Sequence, residues 1–307
     1  MTNPFFRSLF IGASALVLAA CGADEPVEAG DDAASAQEET ASAPDSAGRL
    51  QAVLDAQPDD AKARYQYRHP AETLAFFGIE PGMTVVDTLP GKVWYAGILS
   101  DYLGADGKVI GADYAIDMWP RFGGFATPEF VDGKRTWTET WVADMESGRD
   151  EGDAGFAAFQ FGELPADMEG VADAALMVRA LHNLHRFEDE GAHLSEALAD
   201  MNAVLKPGGL LGVIQHRAPE DNADAWADGS NGYLKQSRVI EAIEAAGFEL
   251  ADTSEINANP DDQPTEDDFV WRLPPSLGDS EDDPERRDAM MAIGESDRMT
   301  LLFRKPE

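Results

Sequence analysis

The chain has 307 residues, 44% hydrophobic and 26% charged, which is enough for one large α/β domain with its own core. Its 58 Asp and Glu outweigh 23 Lys and Arg, giving a formal charge of −35. A surface this acidic repels phosphates and anionic headgroups, which argues against nucleic acid as a partner, and charge spread this widely fits solubility in a salty medium better than one particular ligand.

Residues 1–20 read as a signal peptide. Arg7 is the only charged side chain ahead of the apolar run Leu9 to Ala20, which is too short to span a bilayer. The run ends Leu18-Ala19-Ala20-Cys21-Gly22, which resembles a bacterial lipobox. The resemblance implies cleavage before Cys21, lipidation of this sole cysteine, and a membrane anchor on the periplasmic side of the envelope. Gly22 in place of Asp points to the outer membrane. The other reading is an ordinary secretory signal with a chance cysteine. Residues 21–48 are small, acidic and free of aromatics, the composition of a disordered tether. The folded domain is then 49–307.

Helical spacing covers 49–57 and 70–77, the second closed by Gly78. Val85 to Asp87 reads as a first buried strand, Trp94 to Leu103 as a helix, and Lys108 to Ala112 as a second strand. A short helix is expected near 137–146 and a third strand over Gly155 to Phe161. Ala174 to Val178 is a fourth strand, and Glu188 to Leu205 one helix. Lys206-Pro-Gly-Gly209 reads as a turn before a fifth strand, Leu210 to Ile214. Gln236 to Ala246 is a helix, Phe248 to Ile256 a sixth strand and Met299 to Phe303 a seventh. Alternating strands and helices imply a mostly parallel sheet covered on both faces. The last strand follows an irregular stretch, 257–297, and is expected to insert antiparallel beside the fifth. That stretch is too long for a bare connector and reads as a lid or surface excursion.

Taken together, Asp87 and its loop, Asp113, Asp173 to Val178 and Lys206-Pro-Gly-Gly209 resemble class I S-adenosylmethionine-dependent methyltransferases over roughly residues 65–305. Arg68 to Asp87, Arg179-Ala-Leu-His-Asn183, Ser254 to Pro260 and Trp271 to Leu277 look like a narrower group, the exported bacterial methyltransferases. The resemblance implies a Rossmann-like, seven-stranded α/β sheet and S-adenosyl-L-methionine as cofactor. It places Asp87, Pro90, Gly91 and Tyr95 around the methionine end and Asp113 on the ribose hydroxyls. The family pattern wants three glycines after the acid. This chain has Leu89, Gly91 and Val93, so two side chains stand where backbone should approach the cofactor. Lys92 reads either as a partner for the cofactor carboxylate or as a solvated side chain.

Beyond the fourth strand, His182 and Asn183 fall at the carboxyl edge of the sheet, where ligands bind. His182 is a candidate general base, and His216, ending the fifth strand, is a second. The alternative is that these residues cap a helix and hydrogen-bond the loop. No third ligand completes His182-x-x-His185 into a metal site. Two functions stand. One is a lipid-anchored methyltransferase acting on a small molecule or envelope component. The other is a non-catalytic envelope binding protein on a degenerate methyltransferase fold.

Overall fold

A computed structural model describes residues 46–90 and 94–307. The signal peptide, Cys21 and most of the expected tether lie outside the described residues, as do Gly91, Lys92 and Val93. Among the described residues no helix is long and apolar enough to cross a membrane.

Four helices open the domain: α1 (Ser46–Ala56), α2 (Asp59–Lys62), α3 (Tyr65–Arg68) and α4 (Pro70–Phe76). The first starts ahead of the boundary expected at 49. Then follow β1 (Thr84–Thr88), α5 (Trp94–Leu103), β2 (Lys108–Asp113), α6 (Pro128–Lys134), α7 (Trp137–Ser147), β3 (Gly155–Gln160) and β4 (Ala172–Val178). The second half carries α8 (Leu181–Arg186), α9 (Glu188–Gly191), α10 (His193–Val204), β5 (Leu205–Ala218), β6 (Leu234–Lys235), α11 (Gln236–Ala245), β7 (Glu249–Ser254), α12 (Pro284–Ile293) and β8 (Arg298–Arg304).

The strand order is β3-β2-β1-β4-β5-β8-β7, with the two-residue β6 pairing β5 off this path. Pairs among β1 to β5 are parallel, while β8 runs antiparallel to both β5 and β7. This is the Rossmann-like, mostly parallel sheet with an antiparallel last strand that the pattern predicted. Alternate residues feed opposite faces. Val85, Val109, Ala174 and Leu176 pack with α1, α4 and α5 through Leu54, Leu74, Ile98 and Leu99. Val86, Ile110, Ala175 and Met177 pack with α8, α10 and α11 through Leu184, Leu198, Met201 and Ile243. Burial on both faces explains why the central strands read as continuous apolar runs. At Gly212 a Cβ would stand 2.7 Å from the Phe77 ring, so the close seat of that ring on β5 requires glycine.

Three elements differ from the sequence reading. The stretch Lys206-Pro-Gly-Gly209 is a bulge inside β5, not a turn before it. Register passes from Ala172↔Leu205 to Ala174↔Leu210, and Gly208, at φ 73°, donates its N–H to the Lys305 carbonyl. The turn residues are there, but their backbone is paired with Lys305, just past β8. The expected helix from Glu188 to Leu205 is two helices broken at Ala192, φ 56°. The Glu188 carboxylate accepts the N–H groups of Leu194 and Ser195 at 2.7 and 3.1 Å, satisfying amides that the start of α10 leaves without helical partners. The stretch 257–297 contains α12, which buries no residue and so shows no apolar period. Its start was signalled only by Asp283, whose side chain accepts from Arg286 N–H, and by Pro284.

The excursion is anchored by buried charge. Arg272, 3% exposed, donates to Asp262 at 2.8 Å and to the Tyr233 hydroxyl at 2.8 Å. Asp262 also accepts from that hydroxyl and from the Asp297 amide. Removing one partner of a buried pair leaves an uncompensated charge. Asp262→Ala is expected to lower stability by about 3 kcal/mol or more, seen as a fall in the urea midpoint; an unchanged midpoint would contradict this anchoring.

Candidate functional site

Strands β1, β2 and β3 step outward in one direction, and β4 returns on the other side of β1. Neighbouring carboxyl ends of β1 and β4 therefore face a topological switch point, where open α/β sheets bind ligands. A cavity of about 590 Å³ lies there, walled by Asp87 near the end of β1, Leu89 and Pro90 after it, Tyr95 at the start of α5, and Arg179 after β4. Pro275 from the 257–297 excursion completes the wall, so part of that excursion borders the site.

Asp87, near the end of β1, is 3% exposed. Burial pushes its carboxyl up to about 7, against the Ala96 amide at the start of α5, which holds it down. Leu89 sits at φ 50°, a left-handed conformation in the position where the family pattern has glycine. Its N–H is fixed by the Ala112 carbonyl at 2.7 Å. Tyr95 lines the same cavity, 7% exposed, and burial raises its phenol to about 12, so the hydroxyl stays a donor at neutral pH. The sequence thus placed Asp87, Pro90 and Tyr95 together, and the cavity joins them; Gly91 lies outside the described residues.

Asp113 ends β2, 2% exposed. Its Oδ1 accepts the Tyr114 N–H at 2.8 Å and its Oδ2 meets Lys134 Nζ at 2.7 Å. Burial raises its carboxyl while the Lys134 cation and hydrogen bonds lower it. The Lys134 ammonium in turn sits 4.1 Å above the Trp119 ring. The expected ribose acceptor is therefore engaged by a lysine that sequence reasoning missed. Lys134 stands at the end of a short exposed helix, and nothing in its local pattern points at β2.

The histidines form a separate buried network, and neither lines the cavity. Gln215 donates through Nε2 to the Gly232 carbonyl, so its Oε1 accepts both the His182 N–H and Nδ1–H at 3.3 Å. This assigns the proton to Nδ1 and leaves Nε2 as the acceptor. Burial lowers the His182 ring to about 4, which keeps it neutral at physiological pH. His216 is held well below 6.5 by burial; its Nδ1 lies 2.6 Å from Ser296 Oγ, and its ring is 5.7 Å from that of His182. Asn183 donates to the Tyr114 hydroxyl at 3.1 Å, and Tyr114 to the Ala180 carbonyl at 3.0 Å. The network ties α8 to the end of β2.

A cluster of arginines borders the cavity. Arg64 and Arg68 line it with Arg179. Arg64 donates to Glu295 at 2.7 Å, Arg68 at 3.3 Å and Arg298 at 3.1 Å. Arg68 also stacks 4.8 Å from the centre of the Trp94 ring. The cluster joins positions 227 residues apart in the case of Arg68 and Glu295, and no local motif announces it.

No family model matches the chain, and no curated protein sequence matches it. Solved structures similar to it include the complex between the Haloferax volcanii Trm112 methyltransferase activator and a methyltransferase, at 21% identity and a TM-score of 0.47, covering 84% of this chain and 98% of that one. The [4+2]-cyclase SpnF is similar at 18% identity and 0.47, covering 78% and 80%. A SAM-dependent methyltransferase from Aquifex aeolicus is similar at 18% and 0.43, covering 68% and 93%. Each likeness is one of fold.

The raised Asp87 sets a pH dependence. Its folded value of about 7 lies above the ordinary 3.8. The folded state therefore holds more protons between those values, and stability is lost as pH rises through that window. Asp87→Asn removes the titration. Relative to the native chain, the variant is expected to gain on the order of 3 kcal/mol between pH 4 and pH 7 and nothing more above pH 8. Paired urea melts across that range measure the difference; a flat difference would contradict it.

Proposed function

We propose that the protein binds S-adenosylmethionine in the β1–β4 cleft and transfers its methyl group to an acceptor bound beside it. The observation that carries this reading is the cavity itself: it lies at the switch point of a methyltransferase-type sheet, with Asp87 and Tyr95 in its wall and the acid of β2 next in order. The wall residues suit the cofactor's amino-acid end, while Asp113 does not itself line the cavity. Asp87 and the Tyr95 hydroxyl meet its amine and carboxylate end, and Asp113 takes the ribose hydroxyls. Each Asp113 oxygen has one described donor, and a carboxylate accepts about four hydrogen bonds. Lys134 must share or release its oxygen for the ribose to reach it. The bound cofactor supplies an electrophilic methyl group. The protein's part is to hold the acceptor in line and exclude water; the expected base His182 does not line the cavity and so has no proton-transfer role. The enzyme is anchored through Cys21 on the periplasmic side of the outer membrane, and its acceptor is a small molecule or an envelope component.

Two observations favour the second reading, a non-catalytic binding protein on this fold. Asp113 is buried and already ion-paired, and Leu89 puts a side chain where the cofactor needs bare backbone. Calorimetric titration of the full chain with S-adenosylhomocysteine separates the two. The methyltransferase reading expects saturable binding, weakened about tenfold or more by Asp113→Asn through loss of a charged acceptor. No binding at millimolar ligand would leave the second reading.

A further inference from the structure

We infer that the cleft holds a second, anionic ligand on its β4 side: an acceptor carrying a carboxylate or phosphate group, gripped by Arg179 with Arg64 and Arg68 beside it. This rests on the cofactor reading for the word acceptor, but the anion site stands on its own observations.

The first observation is charge. The chain has only 23 Lys and Arg against 58 acids, yet Arg64, Arg68 and Arg179 line one cavity. General surface charge does not explain that concentration. Among the described residues, Glu295 is the one carboxylate serving Arg64, Arg68 and Arg298. Among the described residues no side chain or carbonyl pairs with the Arg179 guanidinium. Two acids line the cavity, Asp60 and Asp87; Asp87 is held towards its neutral form by burial, and neither forms an ion pair with Arg179. Loss of solvent, with the field of Arg298 and Arg64 added and the Glu295 charge opposing, lowers Arg179 to about 10, still a cation at neutral pH. Arg179 is partly buried, and a guanidinium drawn out of water without a hydrogen-bonded counter-ion is costly; a carboxylate or phosphate matches its fork.

The second observation is backbone. Arg179 stands at φ 57°, a conformation that a long side chain rarely takes. Its N–H is pinned to the Ile214 carbonyl at 2.7 Å. The strained residue follows β4 directly and puts its side chain in the cavity wall, which is where strain accompanies ligand contact.

Position identifies the occupant. The ribose acid belongs to β2, on the far side of β1 from β4. A ligand held from β4 therefore lies across the cleft from the cofactor's nucleoside end. The overall charge of −35 repels anions at long range, so the site selects by short-range pairing and not by steering.

The test uses the full chain with inorganic phosphate and with succinate as probes. Calorimetry and thermal melts are run with and without saturating S-adenosylhomocysteine. Either probe is expected to bind and to raise the melting temperature by linkage, in the presence of S-adenosylhomocysteine as well as in its absence. Arg179→Gln is expected to weaken binding about tenfold or more, and Arg179→Lys to retain part of it. Without anion, Arg179→Gln should melt at the same temperature as the native chain or higher, because it removes a partly desolvated charge with no ion pair among the described residues; an arginine with a merely structural role would give a lower one. No binding of either probe, or equal binding by Arg179→Gln, overturns the site. Mutual exclusion of probe and S-adenosylhomocysteine overturns the acceptor assignment, since Arg179 would then hold the cofactor's own carboxylate. If a probe binds through Arg179 while S-adenosylhomocysteine does not bind at all, the anion site stands and the methyltransferase reading falls.

Discussion

Glu295 is the carboxylate on which the closure of the cleft depends. It receives Arg64 and Arg68 from the opening helices and Arg298 from the start of β8. One buried acid thus ties the N-terminal helices and the last strand to the rim of the sheet. Three guanidinium groups on one carboxylate leave the neighbourhood net positive. Three of the four arginines concerned, Arg64, Arg68 and Arg179, face the cavity. The same residues that close the fold over the switch point therefore also set the electrostatics of what enters it. Replacing a buried ion pair with apolar groups of the same shape is often neutral or stabilising. That the chain keeps four arginines at this place is consistent with a binding role for the surplus charge.

The two sides of the cleft differ in readiness. On the β4 side, Arg179 is unpaired among the described residues and fixed by its backbone. On the β2 side, Asp113 is paired with Lys134, whose ammonium also rests on Trp119. A ribose would compete with a charge-assisted hydrogen bond and a cation–π contact. The lysine arm is 18% exposed, against 2% for its acid, so it is the partner free to move. The exchange swaps one set of donors for another, and its cost is set by how well the displaced ammonium finds water.

What the sequence made legible follows the range of the interactions. Asp87 and Asp113 each end an apolar strand, and that local pattern placed both at the carboxyl edge. Leu89 was readable as a side chain in a glycine position, and it takes φ 50°, a conformation glycine adopts more readily. The mostly parallel sheet followed from alternating strands and helices, and the antiparallel last strand from the irregular stretch ahead of it. The Glu295 cluster and the Asp113–Lys134 pair were not legible, because they join segments that only the fold brings together. The break at Ala192 was hidden because residues 188–191 carry no apolar side chain whose period could mark it, and only the Glu188 cap reveals it. The bulge at 206–209 carries turn residues, and its pairing across to β8 decides that it is strand. His182 and Asn183 fell at the predicted edge, but their hydrogen bonds run to Gln215 and Tyr114, into the protein rather than towards the cavity.

The measurement that bears most directly on this account is a crystal structure of the full chain grown with S-adenosylhomocysteine. The account predicts the homocysteine end in the cavity over Asp87 and Tyr95, the ribose hydroxyls on Asp113, and Lys134 moved from its Oδ2. An empty cleft with the Lys134–Asp113 pair intact, or ligand bound elsewhere on the molecule, would contradict it.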